Sequence, residues 1–466
     1  MRLLTVVVTL WLATGALAAE APNGFVSLFN GSNLDGWVVA GNPEGFTALN
    51  GRIHSDGGKG GDWIRSAKQY GNFVLRLDWM LSKVGNSGIF IRNGPRGGGF
   101  EVQLLAPWTP RRDDLHCTGS IYGHVAANPR PDETPLRWRK LEVSAEYKHI
   151  TVKIDGVQCS QADYDQVPSM KDLALAGYVG MQDSHTGEGE WVEFRNVEIE
   201  DLDQEPGFVA QGLASSDPTV RRVAYDNAIK LGPPMVGPLL DMLTRGGAAE
   251  RHVAEMALER IAANASAPGA EAQAVAVQAS LVARLSAHES GAAEDRVCAA
   301  RLLGLVGRSD QRTVAALEKA LQENGPVSDA ALGAMQRIPG QAVTMALIHA
   351  LRQASSWQQP ALLVALGARK DEAAIAVIAD TARSGTGDVQ LAAVRALGMV
   401  GSAKAIPILR RIAAGAAGAV RQAVADALIV LIDAKGLDDD ARLEALRAAR
   451  ELAVTDAQKA AAGIAQ

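Results

Sequence analysis

Apolar and polar positions alternate along Phe73-Val74-Leu75-Arg76-Leu77-Asp78-Trp79, so Phe73, Leu75, Leu77 and Trp79 share one side and Arg76 and Asp78 take the other. A period of two marks a strand buried on one face. Leu141-Glu142-Val143, Ile150-Thr151-Val152-Lys153-Ile154 and Trp191-Val192-Glu193-Phe194 repeat the pattern, and Asp155-Gly156 predicts a hairpin turn into Val157-Gln158-Cys159. Two more runs, Asn86-Ser87-Gly88-Ile89-Phe90-Ile91-Arg92 and Phe100-Glu101-Val102-Gln103-Leu104-Leu105, are joined by a glycine-rich connection and predict a further hairpin. Ile89, Ile91, Val102 and Leu104 would then enter a core. Glu101 and Gln103 share the opposite face, as do Phe90 and Arg92, and the pairing brings Arg92 close to Glu101.

Many short strands without intervening helices predict a β-sandwich of jelly-roll type from about Phe25 to Leu202. After about Pro206 the composition shifts to Ala, Leu, Val and Arg with helical periodicity. Leu303, Met335, Leu366, Leu397 and Leu428 fall 32, 31, 31 and 31 residues apart, and three of them open Leu-Gly pairs. Pro238 and Pro407 stand near the starts of second helices, where proline is tolerated. These units resemble HEAT repeats, helical pairs that stack because one pair cannot bury its apolar face alone. Ala262–Ala276 reads equally as a loop, an irregular repeat or helix. The chain is therefore expected to be multidomain, a signal peptide at 1–19, an all-β sandwich at 23–203 and an all-α HEAT-like solenoid at 206–456.

At 466 residues and 47% hydrophobic content, two or three cores are expected. The formal charge of −6 leaves no basic footprint for nucleic acid, and Arg111-Arg112 and Arg137–Lys140 are short enough to be solvated loops or strand ends. Arg2, the apolar run Leu3–Leu12 and Ala16-Leu17-Ala18 have the order of a secretory leader, which predicts a secreted or periplasmic protein. No later segment offers the roughly 20 apolar residues of a membrane span. Cys117 and Cys159 could pair, Cys298 reads as a small helical hydrophobe, and no Cys or His pair has zinc spacing.

Five segments in order, Leu28–Trp37, Asn86–Arg92, Glu101-Val102-Gln103, Thr118-Gly119-Ser120-Ile121-Tyr122 and Phe194-Arg195-Asn196-Val197, make the first domain similar to one family. It resembles the 3-keto-disaccharide hydrolase domain, also described as a 3-keto-glucoside 1,2-lyase and 3-keto-2-hydroxy-glucal hydratase, with a concanavalin-like jelly-roll sandwich. The resemblance implies a glycoside already oxidised to a ketone at sugar carbon 3. Such a ketone acidifies the hydrogen at carbon 2, so the chemistry needs a base, a stabiliser for the developing oxyanion and an acid near the leaving oxygen.

Carried over by residue, the resemblance makes Arg92 the electrostatic stabiliser, unless it only braces the sheet against Glu101 or Asp78. Glu101 becomes the base or a metal ligand, and His185, in a glycine-flanked loop, the third catalytic candidate. Asn86, Gln103, Tyr122, His124 and Asp183 are expected to bind substrate. His54, His116 and His149 carry less motif support. Two positions depart from the family pattern: Ala106 stands where an aspartate is common, and Trp138 is followed by Arg139. No cofactor is fixed by these residues, and a divalent metal is left open. The expected partners are oxidised (3-keto) glycosides and a protein docked on the helical repeats. A non-catalytic carbohydrate-binding module and a scaffold built on the repeats are the competing readings.

Overall fold

The computed structural model describes residues 24–95, 97–109, 113–287 and 293–463; the expected leader, Arg111-Arg112 and His288 lie outside them. The chain divides into two compact units, one running through Val209 with Ser216–Val220, the other taking Ala210–Ser215 and the chain from Arg221 onward.

Alternating sequence becomes strand throughout the first unit: β1 (Val26–Ser27), β2 (Trp37–Val39), β3 (Phe46–Leu49), β4 (Arg52–Asp56), β5 (Trp63–Ser66), β6 (Phe73–Leu81), β7 (Asn86–Asn93), β8 (Phe100–Leu105), β9 (Arg139–Glu146), β10 (His149–Ile154), β11 (Val157–Asp163), β12 (Tyr178–Gln182) and β13 (Trp191–Asp201). They form an eight-stranded sheet in the order β11-β10-β9-β6-β13-β4-β3, with β1 on β13, and a five-stranded sheet in the order β2-β5-β12-β7-β8. Every pairing between these strands is antiparallel. Phe73, Leu75, Leu77, Trp79, Val143, Val152 and Phe194 from the larger sheet meet Ile64, Ile89, Ile91, Val102, Leu104 and Met181 from the smaller in one core. Two one-sided apolar sheets closing on each other is the sandwich their alternation requires. The β10–β11 turn is left-handed at both Asp155 (φ 50°) and Gly156 (φ 82°), the geometry that favours an Asp-Gly pair.

All three cysteines are free and buried, so the pairing of Cys117 with Cys159 is not made. Cys117 Sγ points to the Asp114 carbonyl at 3.4 Å and Cys159 Sγ to the Val152 carbonyl at 3.5 Å. Burial pushes the Cys159 thiol up to about 11, which keeps it protonated and unreactive.

In the second unit, Leu303, Met335, Leu366, Leu397 and Leu428 lie in the helices Glu294–Val306, Pro326–Arg337, Gln359–Ala368, Gly387–Val400 and Gly418–Ile432, all buried. The Leu-Gly pairs have a packing cause. A Cβ on Gly304 would stand 2.8 Å from Ala334 Cα, one on Gly367 2.9 Å from Ala396 Cα, and one on Gly398 2.8 Å from Ala427 Cα. Each glycine thus lets the next helix approach to main-chain contact. Gly307 and Gly401 (φ 75° and 74°) end their helices in the left-handed conformation. The undecided stretch is mostly helix: Ala248–Ala265 and Glu271–Ser286 are separated by a short turn. Among the described residues no helix is long and apolar enough to cross a membrane.

Candidate functional site

Val102 and Leu104 are fully buried in the core, so β8 turns Glu101 and Gln103 to the outer face of the five-stranded sheet. Pairing of β8 with β7 sets Glu101 opposite Phe90 and Gln103 opposite Gly88. Gly180 of β12 pairs with both Phe90 and Arg65, so Arg65, Gly180, Phe90 and Glu101 form one row across the sheet. The two glycines leave space that larger neighbours fill. The Glu101 carboxyl lies over Gly88, and the Trp63 ring lies over Gly180 with its centroid 5.3 Å from that of Phe90, edge to face.

Burial among these side chains raises the Glu101 carboxyl from 4.5 to about 8, and among the described residues it has no cation or hydrogen-bond donor to offset that cost. Beside it runs a polar chain. Gln103 Nε2 donates to Asn86 Oδ1 (2.6 Å), and Asn86 Nδ2 lies 2.7 Å from His185 Nε2. If the Asn86 amide donates, His185 Nε2 accepts and its ring proton sits on Nδ1. His185 itself is exposed, whereas Asp183, two residues earlier, is buried. Asp183 Oδ2 accepts from the Asp62 N–H (3.1 Å), its own N–H donates to Asp62 O (3.0 Å), and burial raises its carboxyl above the ordinary range. Asp183 therefore fixes the loop before Trp63, one step removed from the open face. Tyr122 donates its N–H to Glu101 O (2.9 Å) next to the Val102–Ile121 bridge, which places it directly opposite Glu101 with its side chain exposed.

Two expected members lie elsewhere. Arg92 is 1% exposed and does not approach Glu101. The β12–β7 pairing shifts register between Tyr178 and Gly180, and Arg92 adopts φ 50°, so alternation fails after Ile91 and the side chain turns inward. Its Nε donates to Gly71 O (2.8 Å) and one terminal nitrogen to Tyr147 O (2.6 Å) and the Tyr164 hydroxyl (3.3 Å). Among the described residues neither Glu101 nor Asp78, the bracing partners expected for it, bonds to Arg92; Asp78 is held by Arg195 (3.1 Å) and Asn196 (2.8 Å). His124 turns its ring to Ser169 Oγ (2.7 Å), and among the described residues no side-chain hydrogen bond joins it to Glu101, Gln103, Asn86 or His185.

Trp63 and Arg65 belong to the site's face and went unassigned in sequence, although Trp63-Ile64-Arg65-Ser66 alternates and could have shown it. Arg65 Cζ lies 4.0 Å from the centre of the Tyr178 ring. Among the described residues no three His, Cys, Asp or Glu side chains gather as metal ligands, and Ala106 is buried with its N–H on Gly85 O. A concavity of about 850 Å³ lies on the outer face of the larger sheet, where two of the three lining carboxylates, Glu142 and Asp78, are matched by cations. Glu142 meets Arg76 and Lys153 (2.8 Å each) and Asp78 meets Arg195. That face is laced by ion pairs, whereas Glu101 has no such partner among the described residues.

Residues 24–200 match the model of the 3-keto-alpha-glucoside-1,2-lyase-like domain, and residues 345–429 match that of HEAT repeats. The chain thus joins a domain of that lyase-like kind to a helical-repeat region. A curated relative, the 3-keto-disaccharide hydrolase of Bacteroides thetaiotaomicron, is 25% identical over 236 residues, covering 39% of this chain and 79% of the relative. Two solved structures of candidate glycosyl hydrolases from Parabacteroides distasonis are also similar. One is 23% identical over 39% of this chain and 100% of its own, with a TM-score of 0.35. The other is 24% identical over 38% and 94%, with a TM-score of 0.34.

Proposed function

We propose that the β-domain is an enzyme that cleaves 3-keto-glycosides, with Glu101 as the group that takes the proton from carbon 2. The observation that carries this reading is a carboxyl raised to about 8, without a partner among the described residues, on a face lined by amide and aromatic side chains. A carboxylate forced to ionise in such surroundings is a stronger base than one in water. As Glu101 takes the hydrogen, the C–H pair moves into a C2–C3 double bond and the ketone oxygen becomes an enolate. That pair then forms the C1–C2 double bond and expels the glycosidic oxygen from carbon 1. Water adding at carbon 1, with a proton returned to carbon 2, completes net hydrolysis.

Asn86, Gln103 and His185 form the polar wall beside the base, where their remaining N–H groups serve the sugar's hydroxyls and the enolate oxygen. Trp63, Phe90 and Tyr122 supply apolar surface for a pyranose ring. The helical repeats serve as a protein-docking module, a role supported by the HEAT match alone. Export rests on the leader-like sequence alone.

The test is incubation of the protein with 3-keto-trehalose and with trehalose, followed by detection of 3-keto-glucose or its glucal. Release from the oxidised sugar only, abolished by Glu101→Gln, is expected. Release from neither sugar, or release that survives Glu101→Gln undiminished, overturns the reading. Binding of 3-keto-trehalose without release leaves the carbohydrate-binding alternative in its place.

A further inference from the structure

After β8 the chain returns along that strand's free edge. Gly119 N–H donates to Gln103 O (2.9 Å), Gln103 N–H to Ser120 O (3.1 Å) and Tyr122 N–H to Glu101 O (2.9 Å), so residues 119–122 extend the sheet beyond Glu101. His116 stands at the head of this return. Its Nδ1 lies 2.6 Å from Asp113 Oδ1, and its ring centroid lies 4.4 Å from that of Tyr122 at 71°. Asp113 is itself held in place, accepting the Leu115 N–H on Oδ1 (2.9 Å) and the His116 N–H on its carbonyl (3.2 Å).

The geometry points to His116 as the second proton-transfer group of the Glu101 face, the acid that protonates the departing glycosidic oxygen. This rests on the proposed reading of Glu101. A carboxylate on Nδ1 takes that N–H and leaves Nε2 to carry the exchangeable proton. The His116 hydrogen bond holds Asp113 below the ordinary carboxylate range, so it stays an anion as the imidazole changes state. Nε2 of His116 has no partner among the described residues, whereas Nε2 of His185 is taken up by Asn86. Directly opposed residues have Cβ atoms about 5 Å apart. The Tyr122 ring therefore stands between Glu101 and His116 along this face, so a sugar laid against that ring has one of the two groups on either side.

The step balances. Glu101 carboxylate gains the carbon-2 proton, the C1–O bond breaks with its pair on oxygen, and the His116 imidazolium gives its Nε2 proton to that oxygen. In hydration, neutral His116 takes a proton from water as its oxygen bonds carbon 1, and Glu101 returns its proton to carbon 2. Both groups end as they began.

Leaving-group dependence tests the assignment. The full-length protein, His116→Gln and Glu101→Gln are compared on 3-keto-trehalose and on 4-nitrophenyl 3-keto-glucoside, whose phenolate departs without an acid. For His116→Gln the expected loss is about 100-fold or more on the disaccharide and only a few-fold on the nitrophenyl substrate. Asp113→Asn, which keeps the imidazole, should show the same asymmetry to a lesser degree. An equal loss on both substrates in both variants, or no loss, overturns the inference while Glu101→Gln inactivity upholds the parent reading. A wild-type protein inactive on both substrates overturns both.

Discussion

The carboxyl of Glu101 occupies the space that a β-carbon on Gly88 would need. Gly88 has no left-handed torsion, so alanine is tolerated there by the backbone, and the cost falls on the carboxyl. Gly88→Ala is expected to leave the melting temperature within a few degrees of wild type and to lower kcat on a 3-keto-glycoside by about 10- to 100-fold, the penalty of an ångström-scale misplacement. A steady-state assay beside a thermal melt checks it; full activity would mean the carboxyl is not held by that gap.

Glu101 also makes stability depend on pH. Its carboxyl is raised from 4.5 to about 8 in the folded protein, so between those values the folded chain holds a proton that the unfolded chain has released. Stability from this group is complete below pH 4.5 and is lost as pH rises through 8. Glu101→Gln removes that slope and should gain on wild type by a few kcal/mol, at most, by pH 8.5, and by little at pH 4.5. Urea melts at the two pH values decide it. As a base, Glu101 also predicts that kcat/KM on 4-nitrophenyl 3-keto-glucoside, which needs no acid, climbs with pH and levels off near 8.

Arg92 is predicted to matter for folding and not for turnover. Arg92→Met strips the Gly71 and Tyr147 carbonyls of their buried donor and should cost about 3 kcal/mol or more. Arg92→Lys, with one donor head in place of a fork, should fall between. Denaturant midpoints measure this directly. A normal midpoint combined with a collapsed kcat would return Arg92 to the chemistry.

In the helical region, Gly398→Ala should cost about 1–3 kcal/mol because its Cβ meets the main chain of Ala427. Gly415→Ala, where nothing lies within 4 Å, should be near neutral. Thermal denaturation of the pair separates packing from simple loss of glycine.

Much of this was legible beforehand because burial imposes a period. The β7–β8 hairpin follows from Ile89, Ile91, Val102 and Leu104, and the repeats follow from leucines 31 or 32 residues apart. Glu101, Gln103, Asn86, His185 and Tyr122 lie together at one face, with Asp183 behind them. Arg92 was misplaced because a register shift obeys no alternation and leaves no mark on the run that contains it. Cys117 and Cys159 show the same limit, since two cysteines in one domain say nothing of whether their sulfurs face each other. His116 carries little motif support because its place depends on a chain reversal that sets it against Tyr122, a relation between positions six apart in a loop with no period.

The main-chain contacts at Gly304, Gly367 and Gly398 bear on how the repeat region could change over time. Pitch between neighbouring units is set where no side chain intervenes, so the residues on the solvent side of each helix do not determine it. Such an array can have its outward lettering rewritten, and with it whatever it recognises, while its spacing stays constant.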